Sequence, residues 1–175
     1  MIISVAALKS MQAFLNIPDS ELERKVRSLE AKIRKVTHNN FQNKAFRFVT
    51  SVTDGKLLCD NPYVSEGDTL QISETDINDG LINVKGIENG FIISDEQLYD
   101  CEHALVTKIV YPDDIVEGCI GLLKYDIERG DKAGIQSETI SRHSVTYFDV
   151  SASNQFAGYP VSLTAFLKPY MKARF

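Results

Sequence analysis

At 175 residues, with 43% hydrophobic residues and a formal net charge of -5, the chain is long enough for one ordinary domain or for a small helical body with an inserted subdomain. No run approaches the roughly 18 consecutive apolar residues needed to span a bilayer, and MIISVAALKSMQAFLNIPD has neither a basic n-region nor a small-residue cleavage site, so neither membrane insertion nor secretion is expected. Cys59, Cys101 and Cys119 are an odd number at wide spacing, which argues against a disulfide framework and for a reducing compartment.

The first predicted element is a helix over Ser4 to Leu15, with Val5, Leu8, Met11, Phe14 and Leu15 on one face, ending before Pro18. A second helix begins at Asp19 or Ser20, where Ser20-x-x-Glu23 has capping-box spacing. Leu22, Val26, Leu29, Ile33 and Val36 then form a narrow apolar seam, flanked by Arg24, Lys25, Arg27, Lys32, Arg34 and Lys35, and Asn39-Asn40 closes the element. From Phe46 the period changes to two. FRFVTSV, GDTLQIS, GLINVKGI, GFIIS and EHALVTKIVY read as strands, and Asp54-Gly55, Glu66-Gly67-Asp68, Asn78-Asp79-Gly80 and Asn89-Gly90 read as turns between them. Together they predict a small antiparallel sheet or barrel.

A third helix starts with Pro112 at its first position. Asp113, Asp114 and Glu117 lie at its positive end, Ile115, Cys119, Leu122, Leu123 and Ile127 recur at helical spacing, and Gly130 stops it. The following polar alternating stretch, Gly134 to Tyr147, predicts an extended hairpin, and Val150 to Gly158 an exposed connector. Gly158-Tyr159-Pro160 opens a last helix containing Val161, Leu163, Phe166 and Leu167, which Pro169 breaks or kinks. The expected fold class is therefore α+β: a small helical bundle, residues 1-43 and 111-175, interrupted by an antiparallel β subdomain, residues 44-110.

Charge is uneven along the chain. Residues 1-53 carry nine Lys or Arg against four Asp or Glu, residues 54-104 two against twelve, and residues 105-175 eight against eight. A strongly acidic middle disfavours tight non-specific DNA binding by the chain as a whole. The basic face of the second helix lacks interleaved aromatics for base stacking and reads as a solvated face.

Candidate chemistry is thin. Ser141, His143, Ser144 and Asp149 are a local cluster without a G-x-S-x-G elbow, whereas a triad brings its base from another part of the fold. Cys101-x-His103 with Cys59 or Cys119 lacks the paired spacing of structural zinc sites, and Cys119 reads as a small hydrophobe on a buried face. Asp76, Asn78 and Asp79 fail the calcium-loop order, and no phosphate-cradling glycine motif is present. No enzyme activity, catalytic residue, metal or cofactor is expected.

The order Lys132, Gly134, Ile135, Ser137, Glu138, Ser144, Val145, Tyr147, following a helix opened by Pro112-Asp113-Asp114-Ile115, resembles the head-tail connector, or adaptor, proteins of tailed bacteriophages of Gram-positive hosts. The family pattern joins a Lys-x-Gly-Ile-x-Ser-Glu-x-Ile element to Ser-Val-Thr-Tyr, and each piece stands here in order. Gly67-Asp68-Thr69-Leu70-Gln71-Ile72 followed by Asn78-Asp79-Gly80-Leu81 is similar to the β insert of larger members. The resemblance implies a structural virion protein of the neck, made in the host cytoplasm. It would dock as a ring of about twelve copies under the portal, extend the DNA channel without sequence-specific binding to the genome, and offer a surface to the next neck or tail protein. It further implies Gly134, Ile135, Ile140, Val145 and Tyr147 as packing or contact positions of the hairpin. Tyr170, Met171 and Phe175 would be anchors of a C-terminal arm, Phe166 to Phe175, ordered on binding. The alternative from another class is a small β-barrel binding module for a peptide or nucleic acid on a helical support.

Overall fold

Alternating apolar residues between Gln42 and Ile109 build a closed six-stranded antiparallel barrel in the computed structural model, which describes residues 1-59, 61-129, 137-140, 143-146 and 155-173. The strands are β1 (Gln42–Thr53), β2 (Lys56–Leu58), β3 (Thr69–Ser73), β4 (Gly80–Glu88), β5 (Phe91–Ser94) and β6 (Cys101–Ile109), hydrogen-bonded in the order β1-β2-β5-β4-β3-β6. Helices make up much of the remainder, so the chain is α+β. It divides into two units, Met1–Ser4 with Asn39–Tyr111, and Val5–His38 with Pro112–Phe175.

Within the barrel unit, Leu57, Leu70, Ile72, Ile82, Val84, Ile92, Ala104 and Val106 point inward and form one buried cluster. Two turns carry the φ > 0 pair that a two-residue hairpin requires: Asp54 (52°) and Gly55 (70°) join β1 to β2, and Asn89 (51°) and Gly90 (80°) join β4 to β5. β2 escaped the periodicity because only Leu57 of its three residues faces inward, too little alternation to register. β1 starts four residues earlier than the apolar pattern, since Gln42 pairs with Ile109 across an irregularity in the register. Residues Met1–Ser4 belong here too: Ile2 and Ile3 are buried, and the Met1 amino group donates to Thr69 Oγ1 and Asn83 Oδ1.

In the second unit the first helix is shorter than its pattern. α1 spans Val5–Lys9, Met11 is extended, and a separate 3₁₀ turn covers Gln12–Phe14. In one continuous helix Phe14 would be rotated about 120° from Leu8; the break lets both be fully buried, and leaves Leu15 54% exposed.

α2 (Asp19–Thr37) buries Leu22, Val26, Leu29 and Ile33 along the expected seam. Its capping box does not form. The Pro18 carbonyl accepts from Glu21 N and Leu22 N (both 3.1 Å), so the helix starts before Ser20, which is then inside the first turn with helical geometry and no cap position to fill. Asp19 instead pairs with Lys9 (3.1 Å), and the C-terminal left-handed residue is His38 (φ 51°), ahead of the expected Asn39-Asn40 stop.

α3 (Asp113–Arg129) buries Ile115, Cys119, Ile120, Leu122 and Leu123. Pro112 stands just ahead of it and its carbonyl accepts from Ile115 N (3.0 Å) and Val116 N (3.1 Å). The expected stop at Gly130 lies outside the described residues. β7 (Ser137–Ile140) and β8 (His143–Thr146) pair antiparallel in a two-stranded sheet. Part of the expected connector is structured: β9 (Gln155–Phe156) and β10 (Tyr159–Pro160) form a small hairpin whose turn residues Ala157 and Gly158 have φ 55° and 87°. α4 is only Val161–Thr164 and continues as a 3₁₀ helix, Ala165–Tyr170, which takes in Pro169.

Candidate functional site

The residues expected to make contacts do not gather into one described patch. Gly134, Ile135, Tyr147 and Phe175 lie outside the described residues. In the backbone register of the β7-β8 hairpin Ile140 stands opposite His143, and Val145 opposite Glu138; the side-chain packing of Ile140 and Val145 is outside the described part as well.

Of the expected C-terminal arm, Tyr170 and Met171 are described, and the structure places this segment against the chain's own helices. Leu167 is buried, and the Phe166 ring lies against Gly118 of α3, where a Cβ would fall well inside contact distance of three ring carbons. The Tyr170 hydroxyl donates to both carboxylate oxygens of Asp114 (2.7 and 2.9 Å), and that hydrogen bond raises the phenol pKa. Lys172 N donates to the Thr37 carbonyl at the end of α2 (2.8 Å). The chain's own helices therefore seat this segment as far as Lys172. Met171 remains 45% exposed, which keeps it available as an anchor for another chain.

The basic face of α2 is partly engaged within its own unit, which charge pattern alone did not reveal. Lys32 Nζ lies 4.8 Å from the centroid of the Tyr159 ring, a cation-π contact, while the Tyr159 hydroxyl donates to Asp126 Oδ2 (2.7 Å). Burial and then that carboxylate push the Tyr159 pKa far up. Arg34 Nη1 is buried, and Lys25 and Arg27 pair with Glu21 (3.6 Å) and Glu23 (2.9 Å) one turn earlier. Arg24 and Lys35 are exposed cations of this face.

In the barrel unit five Lys or Arg face twelve Asp or Glu, a formal charge of -7. The groups that superficially resemble metal ligands have structural duties. Asp79 accepts from Thr75 N (2.8 Å) and Thr75 Oγ1 (2.7 Å), and the hydroxyl bond, then the amide bond, lowers its pKa. Asn78 is buried and clamps a neighbouring loop, its Nδ2 donating to Tyr99 O (2.7 Å) and its Oδ1 accepting from Tyr99 N (2.9 Å). His103 Nε2 lies 3.5 Å from Glu74 Oε2. Among the described residues no three His, Cys, Asp or Glu side chains are placed to hold a metal ion, and no helix is long and apolar enough to cross a membrane. Of the nucleophile cluster, Ser141 and Asp149 lie outside the described residues.

No protein-family model matches the sequence, and comparison with curated proteins finds no match.

Proposed function

We propose that this chain is a structural assembly protein, a head-tail connector that docks as a ring under the portal vertex, extends the DNA channel and presents the attachment surface for the next neck or tail protein. The observation that carries the reading is the ordered run from Pro112 to Tyr147: a helix opened by Pro112-Asp113-Asp114-Ile115, then Lys132-x-Gly134-Ile135-x-Ser137-Glu138-x-Ile140, then Ser144-Val145-Thr146-Tyr147. The antiparallel pairing of Ser137–Ile140 with His143–Thr146 supports it, as does a barrel interposed between the helical segments Val5–His38 and Pro112–Phe175.

On this reading the protein's work is interface formation in the virion neck, without catalysis. A barrel unit of charge -7 and a second unit with exposed cations on α2 give one subunit two complementary surfaces, and heterologous contacts between such surfaces close into rings when the rotation is right. An acidic wall along a channel lets DNA slide, because it offers no counterion release to hold the phosphates.

The test is the particle mass of the full chain by light scattering at several concentrations, alone and mixed with a portal complex, with particles imaged directly. Rings of about a dozen copies, free or on the portal, are expected. Reversing Arg24 and Lys35, which leaves the Lys32-Tyr159 contact and the buried Arg34 intact, is expected to reduce assembly. A chain that stays monomeric and ignores the portal at every concentration overturns the reading.

A further inference from the structure

The barrel is closed by hydrogen bonds at one end of a seam and open at the other. On the side away from β6, β1 pairs with β2 only at Val52 and Thr53, although it runs back to Gln42. β2 ends at Leu58, and Cys59 N turns away to the Gly90 carbonyl (2.7 Å). The Thr50 hydroxyl, donating to Leu58 O (2.6 Å), is the last hydrogen bond across the seam among the described residues. From Lys44 to Ser51 this edge of β1 has no strand beside it among the described residues.

A groove of about 510 Å³ occupies the gap, between Ala45–Thr50 on one side and Leu58 with Asn61–Tyr63 on the other. Phe48 packs on the barrel core, and the Phe46 ring lies 5.4 Å from Tyr63, so the floor is aromatic. Val49 and Tyr63 are 60% and 64% exposed on its rims. The far wall is held in place: Lys108 Nζ donates to Tyr63 O (3.0 Å) and pairs with Asp68 (2.6 Å), while Tyr63 N donates to Asn61 Oδ1 (3.0 Å). Arg47 is the charged residue among the described lining. Its Nε donates to Thr107 Oγ1 (3.0 Å), which orients an exposed guanidinium whose terminal nitrogens can take a carboxylate through two hydrogen bonds.

We propose that this groove binds an extended segment of a partner protein as an added strand on the β1 edge, with apolar side chains at alternate positions over Phe46 and Phe48 and an acidic residue on Arg47. Alternate residues of the stretch from Arg47 to Ser51 turn main-chain donors and acceptors to this edge at strand spacing, the feature that selects an extended backbone, while the Ala45 N–H already donates to Asn43 Oδ1 (3.2 Å). The volume suits a short peptide, within the roughly 300-1,000 Å³ of ordinary ligand clefts. Single-stranded nucleic acid could stack on the same rings, but a unit of charge -7 with one arginine in the groove opposes a phosphate chain. A second copy's β1 paired antiparallel about Arg47 would set that arginine against its own counterpart. The site does not depend on ring assembly.

The test selects a displayed library of random ten-residue peptides on the full chain, then measures the winners by anisotropy and maps them by amide shifts. Enriched sequences are expected to alternate apolar residues, contain Asp or Glu and lack Pro, and to shift amides from Lys44 to Ser51. Arg47→Glu should weaken them by about tenfold, with affinity recovered when the peptide acid is changed to Arg. Val49→Arg, at an exposed rim position, should weaken them without touching the fold. The proposal is overturned by no enrichment, by winners that map elsewhere, by equal affinity for both variants, or by an oligothymidylate that occupies the groove when peptides do not.

Discussion

Gly118→Ala sets two effects of opposite sign against each other. At an open helix position the change stabilises by about 1 kcal/mol, because alanine loses less backbone entropy on folding. Here the new methyl would lie inside contact distance of three Phe166 ring carbons, while three residues away Gly121 has open space. The ring must retreat by about 1 Å or more to restore van der Waals separation, and overpacking of that kind costs roughly 1-3 kcal/mol. Repulsion should win by about 1 kcal/mol. In a Phe166→Ala background the obstruction is gone, and Gly118→Ala should then stabilise by about 0.5-1 kcal/mol. Urea unfolding of the four proteins of this cycle supplies the numbers. Hydrogen exchange at the Lys172 amide, bonded to Thr37 O, reports whether the C-terminal segment has come loose. If Gly118→Ala stabilises equally in both backgrounds, the ring does not pack on Gly118 and the account of how this segment is seated falls.

Asn78→Ala removes both bonds to the Tyr99 backbone, and about 2-4 kcal/mol should be lost in thermal or urea unfolding; a loss below about 0.5 kcal/mol would show that the clamp carries no weight. Burial, and then the nearby charge of Glu30, pushes the Cys119 thiol up to about 12 from an ordinary 9.0. The unfolded chain therefore gives up this proton first as pH rises. Stability should fall from about pH 9 toward 12, by at most about 1.4 kcal/mol per unit, and Cys119→Ala should flatten the fall between pH 9 and 10, below the range where Tyr159 joins in. Parallel wild-type and Cys119→Ala stability curves across that window would refute the burial argument. Gly90→Ala should cost about 1-2 kcal/mol through backbone strain alone, since φ is +80° and the nearest atom to the new Cβ is 4.0 Å away; urea midpoints equal within error would remove the turn assignment.

Local signals were legible in the sequence where one physical cause dominated. Leu22, Val26, Leu29 and Ile33 repeat at helical spacing, and the structure buries them. Asn89-Gly90 and Asp54-Gly55 are rare pairs that accept φ > 0 twice in succession, so their turns could be read without any knowledge of neighbours. Much less of the candidate site could be read. A groove on β1 exists because β2 stops at Leu58, and strand length at that point depends on where β5 and Gly90 draw the chain. Nothing local to Phe46 or Tyr63 announces it.

The sequence by itself determined the α+β class, the change of period near Phe46 and the uneven charge, because each follows from side-chain type and spacing alone. Tertiary structure decided what depended on partners distant along the chain. Ser20 could cap only if the helix began there, and the Pro18 carbonyl had already begun it. Lys32 read as a solvated cation until the β9-β10 hairpin placed Tyr159 beneath it. Asn78 read as a turn residue until the Tyr99 backbone supplied a partner for each end of its side-chain amide. Spacing along a chain encodes which face a residue shares, whereas hydrogen bonds and ring contacts need a particular second group, and only folding brings that group within reach.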